Sequence, residues 1–176
     1  SELTKKMQGY FTESYLPMGD VIIHQDFNGK QAERYHRELD ISKAITSTSF
    51  SIDDITYKRE AFTSFPGNIL VIKLTANKKN ALHFNVSSRS QLKHTVTANG
   101  NNELVVSGRA PSHVDPSYYN PKGREHVVYD DEAGCKSMRF QYRIKAVTKG
   151  GTIQADTTGI HVSNATEVLL FIAAAT

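Results

Sequence analysis

Two stretches of the chain place a histidine two residues ahead of an aspartate: His24-Gln25-Asp26 and His113-Val114-Asp115. On an extended backbone, residues i and i+2 share a face, so each pair could hydrogen-bond within itself or offer two ligands to a metal. A metal centre needs three or four ligands, and two scattered pairs do not supply them. Local polar pairing is the expected outcome, and no metal or cofactor is expected. Paired carboxylates could do general acid–base work, but nothing singles out a pair among the 18 acidic residues. Asp53-Asp54 and Asp130-Asp131-Glu132 read as solvated turns. Cys135 is the one cysteine. It can form no internal disulfide, and no histidine stands at a spacing that would make it a nucleophile.

These groups must be held by strands, because a period of two runs through the chain. In residues 136–147, Met138, Phe140, Tyr142, Ile144 and Ala146 share one face, and Arg139, Gln141, Arg143 and Lys145 share the other. Residues 43–52 place Ala44, Thr46, Thr48, Phe50 and Ile52 together. The nearly continuous apolar run 69–74 suits a central strand covered on both faces. Leu82, Phe84 and Val86 form another face, as do Leu92, His94 and Val96. Short strands are expected at 104–107, 152–155, 160–162 and 168–172. Turn residues punctuate them: Asp53-Asp54, the stretch 77–80, Asn99-Gly100-Asn101, Gly150-Gly151, Thr158-Gly159 and Asn164. Asn and Gly accept the positive φ of tight hairpins. Residues 4–11 could form a helical turn or two. About ten short strands predict an all-β chain, a large antiparallel β-sandwich of two sheets packed face to face.

One segment breaks the rhythm. Residues 109–134 carry Pro111, Pro116, Pro121, Gly123 and Gly134 and alternate only at Val127-Val128-Tyr129. A long irregular stretch inside a compact domain is usually functional or disordered. His113, His126, Tyr118 and Tyr119 argue against disorder and make this the place to look for a site. Elsewhere, Arg37-Glu38 and Arg59-Glu60 read as cross-strand charge pairs on an exposed sheet face. Gly19-Asp20 reads as a turn before Val21.

Composition narrows the class. At 176 residues the chain is one domain, or a large piece of one, and can bury a core without staples. Its net charge of +3 is spread along the sequence, whereas nucleic-acid binding needs clustered cations. The longest apolar run, 168–175, is too short to span a bilayer, and no apolar signal segment follows Ser1. Neither a nucleic-acid nor a membrane partner is expected.

Six blocks remain that generic strands do not explain. Tyr15-Leu16-Pro17-Met18-Gly19-Asp20 resembles the Tyr-x-Pro-Leu-Gly-Asp-Leu element in the N-terminal domain of glycoside hydrolase family 95. Tyr35-His36-Arg37-Glu38-Leu39-Asp40-Ile41 is similar to its Tyr-x-Arg-x-Leu-Asp strand, and Tyr57-Lys58-Arg59-Glu60-Ala61-Phe62-Thr63-Ser64 to its Tyr-x-Arg-Glu-x-Phe-x-Ser. Ala110-Pro111-Ser112-His113-Val114-Asp115-Pro116 resembles a loop of that domain. Met138-Arg139-Phe140 and the Ala173-Ala174-Ala175-Thr176 ending resemble two further elements. The blocks occur in the family's order and cover nearly the whole chain.

The resemblance implies a supersandwich that precedes an (α/α)6 barrel. The barrel holds the groups that hydrolyse terminal α-L-fucosyl linkages with inversion, and some members prefer α-L-galactose. Residues 1–176 are then expected to be one partly truncated β-sandwich domain, catalytically silent alone, whose partner is the barrel of the same parent chain. The parent is expected to be an exported bacterial enzyme. Inversion needs an acid and a base with carboxyls roughly 6.5–9.5 Å apart, and no catalytic residue is assigned here. The strongest candidate for substrate proximity is the loop 110–120, with His113, Asp115, Tyr118 and Tyr119. Tyr and His rings stack on or hydrogen-bond sugar, and prolines keep the loop extended. The competing expectation is a structural crossover that touches no ligand. At the level of function the alternatives are an independent carbohydrate-binding module, which the absence of Trp disfavours, and a structural surface domain. Strands missing from the sandwich would leave open edges and bare apolar residues such as Leu169 and Phe171, so self-association is expected.

Overall fold

The structure, a computed structural model, describes residues 2–7, 15–120, 122–129 and 137–176. A short helix, α1 (Glu2–Met7), precedes the strands. These are β1 (Asp20–His24), β2 (Glu33–Asp40), β3 (Ile45–Ile52), β4 (Ile55–Ser64), β5 (Ile69–Ala76), β6 (Leu82–Arg89) and β7 (Lys93–Asn99). There follow β8 (Glu103–Arg109), β9 (His113–Val114), β10 (Val127–Val128), β11 (Arg139–Lys149), β12 (Thr152–Asp156), β13 (Gly159–Ala165) and β14 (Glu167–Ala175). The expected helical turn is present as α1, and residues 8–11 of it lie outside the described residues. No described helix is long and apolar enough to cross a membrane.

All pairings are antiparallel. Eight strands form a large sheet in the order β2-β3-β4-β5-β14-β11-β8-β7, four form a small one in the order β1-β6-β13-β12, and β9 with β10 makes a separate ribbon. The two sheets face one another across a common core, as the alternation required. From the small sheet come Leu82, Phe84, Val86, Ile160 and Val162. From the large one come Leu74, Leu104, Val106, Ile144, Val168 and Leu170. A fully buried Leu, Ile or Val contributes about 1.5–3 kcal/mol over its exposed state, so this layer supplies the main driving force.

β11 shows how directly the sequence sets the burial. Phe140, Tyr142, Ile144 and Ala146 are buried, and the residues between them are exposed. Met138 was expected on the same face, but it lies before the strand and is 61% exposed. β5 is covered on both sides, as its apolar run required. Leu74 is 1% exposed towards the core, and Val71 is 7% exposed on the other face, flanked in register by Phe62 and Phe171. β3 starts later than its alternation suggests. Asp40 accepts from the backbone N–H of Ser42 and Lys43, which makes a turn in which Ala44 takes a φ of 54°.

The predicted turn residues do their work. Asp53, Asn80 and Asn164 adopt positive φ. Gly151, at φ +70°, lies so close to the backbone of residues 163–165 that a Cβ there would overlap it. Gly19 is confined by its neighbours instead. A Cβ would strike the hydroxyl of Tyr142, which is hydrogen-bonded to the Ser88 hydroxyl. Ser90 Oγ donates to the Met18 carbonyl at 2.7 Å, so the lead-in to β1 is pinned on the core.

The small sheet covers only part of the large one. β2 is exposed along its length apart from Asp40, and Leu39, on the inward face, is 61% exposed. Charged residues on this edge strand discourage pairing with other chains. The expected cross-strand charge pairs do not form there. The ion pairs run within strands, His36–Glu38 at 3.5 Å and Lys58–Glu60 at 2.7 Å. Arg59 points inward, because on an alternating strand it must face opposite to Lys58 and Glu60.

Candidate functional site

In the irregular segment between β8 and β11, the described residues 110–120 and 122–129 form a hairpin. Ala110 N–H donates to the Met138 carbonyl at 2.8 Å, Ser112 N–H to Val128 at 2.8 Å and Asp115 N–H to His126 at 2.9 Å. The β9–β10 ribbon sets Val127 opposite Val114 and Val128 opposite His113. The prolines keep the incoming arm extended, and a turn closed by Tyr119 N–H on the Pro116 carbonyl at 3.0 Å reverses it. Tyr129 then anchors the return. Its ring lies 4.6 Å from Lys93 Nζ and 5.7 Å from Arg109 Cζ, and its hydroxyl accepts from Lys93 N–H at 3.1 Å.

Inside this hairpin Asp115 has a side chain only 2% exposed. Arg124 grips it at two points, Nη1 to Oδ2 at 2.6 Å and Nη2 to Oδ1 at 2.8 Å. His113 Nε2 donates to Oδ1 at 2.9 Å, since an ionised carboxylate can only accept. Burial alone would raise the Asp115 carboxyl. The hydrogen bonds from Arg124 and His113, with their charges, outweigh burial and hold it below the usual carboxylate range. Such an acid stays ionised and saturated. It can orient His113 and clamp the loop, but it cannot pass a proton.

Of the four candidate residues, the fold thus brings His113 and Asp115 into contact. Tyr118 projects from the loop at 80% exposed, and Tyr119 is 40% exposed. The other His-x-Asp pair does not form: Asp26 accepts from the Asn28 N–H at 2.8 Å, while His24 is exposed. Asp53 sits in a turn, as expected, and pairs with Lys30 at 2.6 Å. Asp130, Asp131, Glu132 and Cys135 lie outside the described residues. Among the described residues no three His, Cys, Asp or Glu side chains gather as a metal site would require, and Asp115 is the one acid in the buried class.

Sequence reasoning missed Arg124, which no period links to Asp115, and it missed Tyr129 as the loop's anchor. It also missed a groove of about 850 Å³ across β7, β8 and β11 that takes in Thr95, Ser107 and Gln141. Along one side of this groove Lys93, Arg109 and Arg139 stand in a single cross-strand row. Only the strand register reveals that row.

A family model described as "Glycosyl hydrolase family 65, N-terminal domain" matches residues 1–176. The chain belongs to this family. As a glycosyl hydrolase family 65 N-terminal domain, it is the kind of domain that the six blocks led one to expect, although they pointed to family 95. It is also 26% identical over 155 residues to "Alpha-L-fucosidase 2" of Arabidopsis thaliana. That match takes in 85% of this chain and 18% of the plant protein, so the domain spans about a fifth of the relative's length.

Proposed function

We propose that this domain is the non-catalytic N-terminal part of an α-L-fucosidase-like glycoside hydrolase of the family 95 type, and that it packs on and supports an (α/α)6 barrel in the same parent polypeptide. The match of all 176 residues to a glycosyl hydrolase N-terminal domain carries this reading. The plant relative's name supplies the substrate class. The state of Asp115 supports the silent role, because its carboxylate is consumed by Arg124 and His113. In the parent the 110–120 hairpin lies near the mouth of the sugar pocket, with Tyr118 as the residue that reaches substrate. The test is the chemistry of the longer polypeptide. It hydrolyses terminal α-L-fucosides with inversion, which NMR detects in the first-formed sugar. Retention of configuration, or no action on fucosides, overturns the reading.

A second reading rests on Tyr118, whose exposed ring offers a stacking face. On that reading the domain binds glycans by itself. Titration of the chain with fucosylated oligosaccharides separates the two, because saturable binding favours a module and its absence favours the supporting domain.

A further inference from the structure

Strand register draws Arg37, Thr48, Arg59 and Leu74 into one row across β2, β3, β4 and β5 on the inward face of the large sheet. The row starts in the core at Leu74 and runs out from under the small sheet. Arg59 is where cover fails. Its guanidinium carbon lies 5.7 Å from the Phe50 ring centre, and Nη2 donates to Gln25 Oε1 at 3.0 Å. Its Nε is shut off from solvent and meets no acceptor among the described residues. Arg37, on the far side of Thr48 in the same row, is exposed. Neither guanidinium forms an ion pair among the described residues. The neighbouring acids cannot help, because Glu38 and Glu60 point to the opposite face, where they pair with His36 and Lys58.

A buried donor without an acceptor costs free energy, and more so on a charged group. A guanidinium fork matches a carboxylate, which can accept from two donors at once. The surroundings match a polypeptide. Phe27, Phe50 and Tyr57 form an aromatic cluster beside Arg59 that continues the core, and Tyr35 and Leu39, each 61% exposed, are bare apolar neighbours on the same face. A free anion would leave both uncovered. An extended segment would cover them.

We infer that the inward face of β2, β3 and β4 docks an extended polypeptide segment that carries a carboxylate side chain onto Arg59 and Arg37. This stands independently of the glycosidase reading, since it uses only the chain's own charges and cover.

The test uses the 176-residue chain with ¹⁵N label and a capped five-residue strand peptide with a central glutamate. The same peptide with glutamine is the control. The glutamate peptide shifts the Arg59 Nε–Hε resonance saturably and binds about tenfold more tightly than the control, as a charged hydrogen bond to an arginine predicts. R59M abolishes that preference, and the amide spectrum of the variant verifies that the fold is kept although the Gln25 hydrogen bond and the stacking on Phe50 are lost. R37A reduces the preference and leaves the Arg59 signal in place for observation. Equal affinity for the two peptides overturns the proposal, as does an unmoved Nε resonance. Sulfate that moves the resonance as far as the peptide does would assign the recess to a small anion instead. A dimer that forms without peptide and is broken by R59M would assign it to a second copy. Both of those results contradict the proposal.

Discussion

Arg124 reaches back across the β9–β10 hairpin to meet Asp115 at two points, with Nη1–Oδ2 at 2.6 Å and Nη2–Oδ1 at 2.8 Å. Without it the buried carboxylate would keep only His113 among the described residues. The β9–β10 ribbon belongs to neither of the two sheets, so it should open locally before they do. R124A is therefore expected to speed thermolysin cleavage within residues 110–129 by about tenfold, the worth of one charged hydrogen bond. The β11–β14 core should stay protected. Unchanged cleavage would show that the pair does not hold the loop.

Acid should loosen two places in a defined direction. Asp156 accepts from the hydroxyl and N–H of Thr158, from His161 and from the Gly159 N–H, and these bonds lower its carboxyl from 3.8 to about 2. Because the folded value is depressed, the stabilisation is complete above the unfolded value and is lost as pH falls from 3.8 towards about 2. Asp115 is also depressed, so its clamp fails on the same side. Carboxyl ¹³C shifts followed by NMR should show Asp156 titrating near that low value, together with loss of amide protection in the β12–β13 turn. A titration at the ordinary carboxylate value would contradict this.

Gly19 is held by space. A Cβ there would meet the Tyr142 hydroxyl and the Arg89 carbonyl, so G19A should cost roughly 1–3 kcal/mol as an overpacked contact. Y142F removes the hydroxyl and part of the clash. Urea melts of the two single variants and the double variant should show less loss together than the sum of the separate losses. Strict additivity would mean that Tyr142 is not the obstacle.

The structure explains which parts of this arrangement were legible in the sequence. Burial at Phe140, Tyr142, Ile144 and Ala146 followed from alternation, because a strand's period ties sequence parity to one face. The same parity sends Arg59 inward and Glu60 outward, and reading them as one exposed pair overlooked it. The two His-x-Asp motifs are alike in sequence and differ in outcome. His113-Val114-Asp115 lies where a hairpin delivers Arg124, while Asp26 is spent on the N–H of Asn28. Long-range partners such as Arg124 and the Lys93–Arg109–Arg139 row depend on loop closure and register, which leave no local pattern to read.

The outward face of the large sheet carries an apolar strip in which Val71 stands in register between Phe62 and Phe171, with Phe62 40% exposed. We expect the chain to self-associate through this strip. Sedimentation should show association that rises with concentration, and F62K combined with F171K should return a monomer. An unsubstituted 176-residue chain that stays monomeric at millimolar concentration would rule the strip out.

In the proposed parent polypeptide, Y118A should lower kcat/KM on fucosides with little change in thermal midpoint, because Tyr118 is 80% exposed. H113A should act more weakly and through the loop. Unchanged kinetics for both, with normal folding, would remove the hairpin from the substrate site.

The most direct measurement is hydrolysis of an aryl α-L-fucoside by these 176 residues alone, set beside the proposed parent polypeptide. We predict no release above the uncatalysed background for the domain and turnover for the longer chain. Sustained turnover by the domain alone, abolished by D115N, would contradict the account at its centre.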